Sequence, residues 1–162
     1  VWESSKLEKQ VKAMMSDSKV SLVFSDVKGR SFLKKIIIFN IYARFPYYSL
    51  LLTNFLTTSS IVIKKNSILK FGQFNENLTW AEDYELWLKI SLHEKFIGVR
   101  EELVSYHQGI DSLSNNKVGM TKAFSEVATN SMILNKTNIL MFYLFKLSYI
   151  FRAAVLKYKG SE

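Results

Sequence analysis

Gly72-Gln73-Phe74-Asn75-Glu76, followed by Thr79-Trp80-Ala81-Glu82-Asp83-Tyr84-Glu85-Leu86-Trp87-Leu88-Lys89, is the stretch from which the rest of the chain is read. Glycine and asparagine around a lone aromatic mark a turn. Thr79, with Glu82 three residues later, has the form of a capping box and predicts a helix start. Tyr84, Trp87, Leu88 and Ser91 then recur at i, i+3, i+4 and i+7, which is one apolar helix face. The spacing predicts a helix from about Trp80 to Leu92, with Glu82 and Asp83 in its first turn. The helix dipole favours acids there by about 0.3–1 kcal/mol each, so capping alone is a sufficient reason for two carboxylates.

Upstream, Lys6 to Met15 reads as a short helix with Leu7, Val11, Met14 and Met15 on one face and Ser5/Glu8 at capping-box spacing. Val20 to Phe24 is a β-rich run that reads as a buried strand, closed by a turn at Lys28-Gly29. Ile36 to Ile41 suits either a strand or a buried helical segment, Tyr47 to Asn54 is helical in pattern after Pro46, and Ser59 to Ile63 is a second strand. Downstream, Phe96 to Val99 and Leu103 to His107 read as two short strands joined by Arg100-Glu101-Glu102. A polar loop, Gln108 to Lys117, separates this α/β body from an amphipathic helical remainder, Val118 to Tyr158. The division is thus 1–115 and 116–162.

Composition narrows the functional classes. The 162 residues are 48% hydrophobic and 14% aromatic, with six Gly and one Pro, which excludes a disordered or low-complexity chain. Without cysteine there is neither a disulfide framework nor a thiolate metal site, as suits a reducing compartment. Twenty-two basic residues against fourteen acidic give a formal charge of +8, which favours polyanionic partners. The basic residues are scattered in ones and twos, and no zinc or helix-turn-helix signature is present, so nucleic acid is not the expected partner. The opening Val1-Trp2-Glu3-Ser4 lacks a signal-peptide order, and Ile139 to Phe151 is too short an apolar run to cross a bilayer.

Set in order, Asn54…Ser59-Ser60-Ile61-Val62-Ile63, Gly72-x-Phe74-Asn75-Glu76, Glu82-Asp83-x-x-Leu86-Trp87-Leu88 and Leu103-Val104-x-Tyr106 resemble bacterial family 2 glycosyltransferases. Trp2 and Lys6 to Gln10 are similar to the segment that follows that family's Asp-x-Asp motif. The resemblance covers residues 1 to about 115. It implies an α/β, partial GT-A fold with a C-terminal helical tail, namely the acceptor-side half of an inverting enzyme. The nucleotide-binding half with its Asp-x-Asp is missing from these residues.

Under that resemblance Asp83 is the catalytic base that takes the acceptor's hydroxyl proton, and Glu82 orients the site. Trp80 offers a face for a sugar ring, and Ser59 and Ser60 offer hydroxyls to the acceptor. His107 stands where the family pattern has Arg, and Gly109 where it has His. His107 is therefore the one residue considered as a metal or diphosphate ligand. The expected donor is a nucleotide-sugar, and the expected acceptor is a glycan or lipid-linked chain of bacterial surface polysaccharide synthesis. The expected cofactor is a divalent cation, Mg or Mn. With no Asp-x-Asp to hold it, the chain alone is expected to be inactive.

The tail carries Lys146, Arg152, Lys157 and Lys159 among many aromatics. Such a helix lies peripherally at the inner face of the cytoplasmic membrane through 137–159, or else packs on the body. A non-catalytic basic membrane-associated protein and an inactive gene remnant are the competing classes.

Overall fold

The eight residues of β1 (Val20–Val27) are all buried, the polar Ser21, Ser25 and Asp26 included. A strand buried along its whole length must be covered on both faces and paired on both edges. On one edge it pairs antiparallel with the short β2 (Ile61–Ile63), Phe24 opposite Ile61. On the other it pairs parallel with β3 (Lys95–Val104), Phe24 opposite Gly98, so the sheet order is β2-β1-β3. The computed structural model describes residues 1–105, 117–136, 140, 143–148, 150 and 154. His107, the Gln108–Lys117 loop up to residue 116, and most of 137–162 lie outside them.

Helices precede, separate and follow the strands. They are α1 (Lys6–Met15), α2 (Phe32–Ile37), α3 (Pro46–Leu52), α4 (Lys65–Phe71), α5 (Glu82–Ser91) and α6 (Lys117–Leu134). The Ile36–Ile41 ambiguity resolves to helix. α2 widens into a π turn at Ile38–Tyr42, closed by the Ala43 N–H donating to the Ile38 carbonyl at 2.9 Å. Pro46 opens α3 at a position where its missing N–H costs nothing. α4 has no counterpart in the sequence reading. It ends at Gly72, whose φ of +102° is the left-handed cap that glycine adopts without strain. Phe74, from the turn after it, meets Trp87 edge-on with ring centroids 6.1 Å apart.

Three expectations are corrected. α1 has the predicted bounds but the opposite orientation: Lys6 and Gln10 are buried, whereas Leu7, Val11 and Met15 face solvent. The Gln10 amide makes this possible by donating to the carbonyls of Val23 (2.9 Å) and Ser60 (2.8 Å), which satisfies both inside the fold. The Thr79/Glu82 capping box does not form. α5 begins at Glu82, with Ala81 in the left-handed region (φ 68°) and no side-chain cap. The two strands expected around Arg100-Glu101-Glu102 are one strand, and the polar residues lie at a slip in register. Ser25 pairs with Val99, but Asp26 pairs with Glu102.

One core binds these layers. Leu22 and Phe24 of the sheet, Leu50 and Leu51 of α3, Leu86, Trp87, Leu88 and Ile90 of α5, and Ala128 and Met132 of α6 belong to the same buried cluster. Phe145, beyond α6, joins it.

Candidate active site

The C-terminal end of β1 opens into a cleft of about 580 Å³. Asn54, Leu56, Thr57, Thr58 and Ser59 form one wall, Thr79 to Asp83 the other, and Met120 and Phe124 of α6 close the side. Ligands of open α/β sheets bind beyond the carboxyl ends of strands, where the chain's connections diverge.

Asp83 is partly exposed and lines this cleft from the first turn of α5. Its Oδ1 accepts from the Tyr84 N–H at 2.6 Å, and its Oδ2 accepts a short hydrogen bond from the Thr58 hydroxyl on the opposite wall. The carboxylate is thereby fixed in direction while remaining at the surface of the opening. The helix that carries it is equally fixed. Tyr84 is buried, donates its hydroxyl to the Leu50 carbonyl at 2.7 Å and meets Phe124 edge-on at 5.0 Å. Leu86, Trp87, Leu88 and Ile90 behind it are almost wholly inaccessible.

Glu82 lines the same opening and, with no capping box to serve, is not engaged with the backbone of its own helix. The left-handed Ala81 makes this arrangement. It reverses the chain between Trp80 and Glu82 so that both border the cleft, in a conformation costing roughly 1–2 kcal/mol for a residue with a Cβ. Trp80 is half-buried with its indole N–H unpartnered, and the Ser59 hydroxyl beside the opening is likewise unpartnered. Ser60 is not part of the cleft. It is buried, and its hydroxyl donates to the Thr57 carbonyl at 2.7 Å. The hydroxyl that reaches Asp83 belongs to Thr58, two residues earlier.

Behind the floor lies a charged group that the sequence reading missed. Asp26 is buried, with Arg30 at 3.4 Å and Lys35 at 3.2 Å, and Lys35 also pairs with Glu102. Hydrogen bonds to Glu102 and then Asp26 raise the Lys35 ammonium above its ordinary value. Burial pulls the Arg30 guanidinium below its own, against the opposing pull of Asp26. Lys28-Gly29-Arg30, directly after a buried strand, was the available signal.

The described residues offer no ligand set for the divalent cation implied by the resemblance, and His107 lies outside them. Among the described residues no three His, Asp or Glu side chains cluster to hold one. Asp26, the acid nearest the end of β1, is already matched by two cations.

A family model described as "Glycosyltransferase like family 2" matches residues 3–148. The chain belongs to this glycosyltransferase-like family 2. No curated protein and no solved structure gives a match. The family match takes in the sheet, the cleft and α6 together. The mixed α/β body, with a three-stranded sheet and a helix packed after it, corresponds to part of a GT-A-like fold. Among the described residues no helix is long and apolar enough to cross a membrane.

Proposed function

We propose that this family 2 chain forms the acceptor side of an inverting glycosyl transfer from a nucleotide-sugar to a glycan or lipid-linked acceptor, in surface polysaccharide synthesis. The observation that carries the reading is Asp83, a carboxylate held at the mouth of an open cleft by a helix buried in the core. In the reaction the acceptor hydroxyl gives its proton to Asp83 as its oxygen bonds to the anomeric carbon. The bond from that carbon to the diphosphate oxygen breaks on the far face, and the nucleoside diphosphate leaves with the electron pair. Trp80 offers a flat apolar face to a sugar ring, and its indole N–H and the Ser59 hydroxyl lie just beneath the surface of the opening without a partner among the described residues. Glu82 borders the same space and orients the acceptor. No residue here is assigned to the donor, because no Asp-x-Asp stands in the 162 residues, and the chain alone is expected not to turn over.

The reading places this chemistry at an anionic membrane surface. Leu140, Tyr143, Leu144, Leu147 and Ile150 are all exposed and recur at i, i+3, i+4, i+7 and i+10, one outward stripe, while Phe145 turns into the core. From Val127 to Ser161 the sequence has no acidic residue and five basic ones, Lys136, Lys146, Arg152, Lys157 and Lys159. Apolar burial with positive charge alongside suits a bilayer bearing anionic lipid.

The test of the base is Asp83→Asn in the protein as its cell makes it, assayed by nucleoside diphosphate release from a panel of nucleotide-sugars. Transfer should fall about 10²–10⁴-fold with the unfolding midpoint unchanged, since the amide keeps the size but not the basicity. Transfer at the parent rate would remove Asp83 from the reaction.

A further inference from the structure

A second pocket, of about 320 Å³, adjoins the transfer cleft, and Asn54 and Thr57 line both. Its walls differ in kind. Arg30 and Lys34 stand on one side, and Ile37, Ile38, Tyr42 and Phe55 supply an apolar remainder. Among the described residues no acidic side chain lines it.

Arg30 is mostly buried, and its two side-chain contacts among the described residues are long, 3.4 Å to Asp26 Oδ1 and 3.5 Å to Thr57 Oγ1. A guanidinium has five N–H donors in a planar fork, so these contacts leave most of that capacity unused. Lys34 is exposed and takes part in no ion pair among the described residues. A desolvated guanidinium beside a free ammonium is the arrangement that recognises a phosphoryl group. Asp26 does not cancel it, because Lys35 shares that carboxylate.

We propose that this annex is a phosphoryl-binding subsite of the transfer cleft, in which Arg30 and Lys34 hold the phosphate of an isoprenyl-phosphate-linked acceptor and the apolar wall receives the first part of its chain. The inference rests on the acceptor-side reading above and names the acceptor's chemical class. Because Thr57 borders both spaces, a phosphate in the annex would leave the attached sugar to extend toward Asp83.

A binding experiment on the purified protein separates this from the base assignment. Isothermal titration with farnesyl phosphate, farnesol and uridine diphosphate would be run on the parent, Arg30→Gln, Lys34→Gln and Asp83→Asn. Farnesyl phosphate should bind more tightly than farnesol, and each of the first two substitutions should weaken it by about ten-fold or more. Lys34→Gln matters most, since Lys34 is exposed and its loss leaves the fold intact. Asp83→Asn should not change this binding, so the annex and the base can fail independently. If the two cation variants weaken uridine diphosphate but not farnesyl phosphate, the phosphate belongs to the donor and the isoprenyl assignment is overturned. Binding of either compound that ignores both substitutions, or no binding at all, overturns the subsite.

Discussion

Gly98 shows how little room the sheet leaves at a single residue. It lies opposite Phe24, and Phe39 stacks on Phe24 with centroids 5.4 Å apart. A methyl group at this position would fall 2.8 Å from Phe24 Cζ and closer still to Phe39. Gly98→Ala should therefore destabilise by about 1–3 kcal/mol, read as a lower urea midpoint with the slope unchanged. Lys6 is the opposite case, a charge that no carboxylate among the described residues matches. Its ammonium is buried 4.0 Å from the Trp2 ring centroid with no hydrogen-bond partner, and burial lowers its proton affinity below the ordinary 10.5. Between the lowered value and 10.5 the unfolded chain binds more protons than the folded one, so this residue's contribution to stability rises with pH across that window. Lys6→Met should have the higher melting temperature at pH 7, and its advantage over the parent should shrink as the solution approaches pH 10.5. An advantage that stays constant with pH would mean that burial leaves the proton affinity of Lys6 the same in the folded and unfolded chain. The place of Asp83 was legible at this scale because flanking motifs singled it out, and the structure sets it at the cleft. Thr58 and Arg30 were not, since nothing local in Thr57-Thr58-Ser59-Ser60 tells which hydroxyl crosses a cleft.

Elements were read best where one face alone decides them. The run Tyr84, Trp87, Leu88 is buried as its period requires, and α5 lies within the predicted Trp80–Leu92. In α1 the same reasoning gave the limits but chose the wrong face, because periodicity is blind to a glutamine whose amide satisfies two buried carbonyls. Thr79 and Glu82 had the letters of a capping box, yet a left-handed residue between them moved the helix start by two positions. β3 was split in the sequence because its polar middle coincides with a slip that only a partner strand reveals. The exposed stripe beyond α6 is the element whose role is most directly open to trial. Leu144→Lys with Leu147→Lys removes two apolar anchors, each worth about 1.5–3 kcal/mol when buried, and leaves Phe145 in the core. The double variant should no longer sediment with phosphatidylglycerol vesicles, at an unchanged melting temperature. If the parent ignores the vesicles and the variant instead elutes at half the parent's apparent mass, the stripe is covered by a second copy.

At the scale of the whole molecule, sequence order gave the fold class and the family, while spatial neighbours gave the site. A single aliphatic and aromatic core joins sheet, α3, α5 and α6, so the two walls of the cleft are parts of one body. That body nevertheless turns several apolar faces outward. Leu7, Val11 and Met15 on α1 stand clear of the core, as do Leu33, Ile36, Ile41 and Phe45 around α2 and the π turn. What separates neighbouring copies is their common charge of +8. That repulsion reaches about 10 Å in 0.1 M salt and about 3 Å in 1 M salt. The chain should therefore stay dispersed in dilute buffer and gather through the outward Leu7–Val11–Met15 face in brine, a difference that light scattering would read.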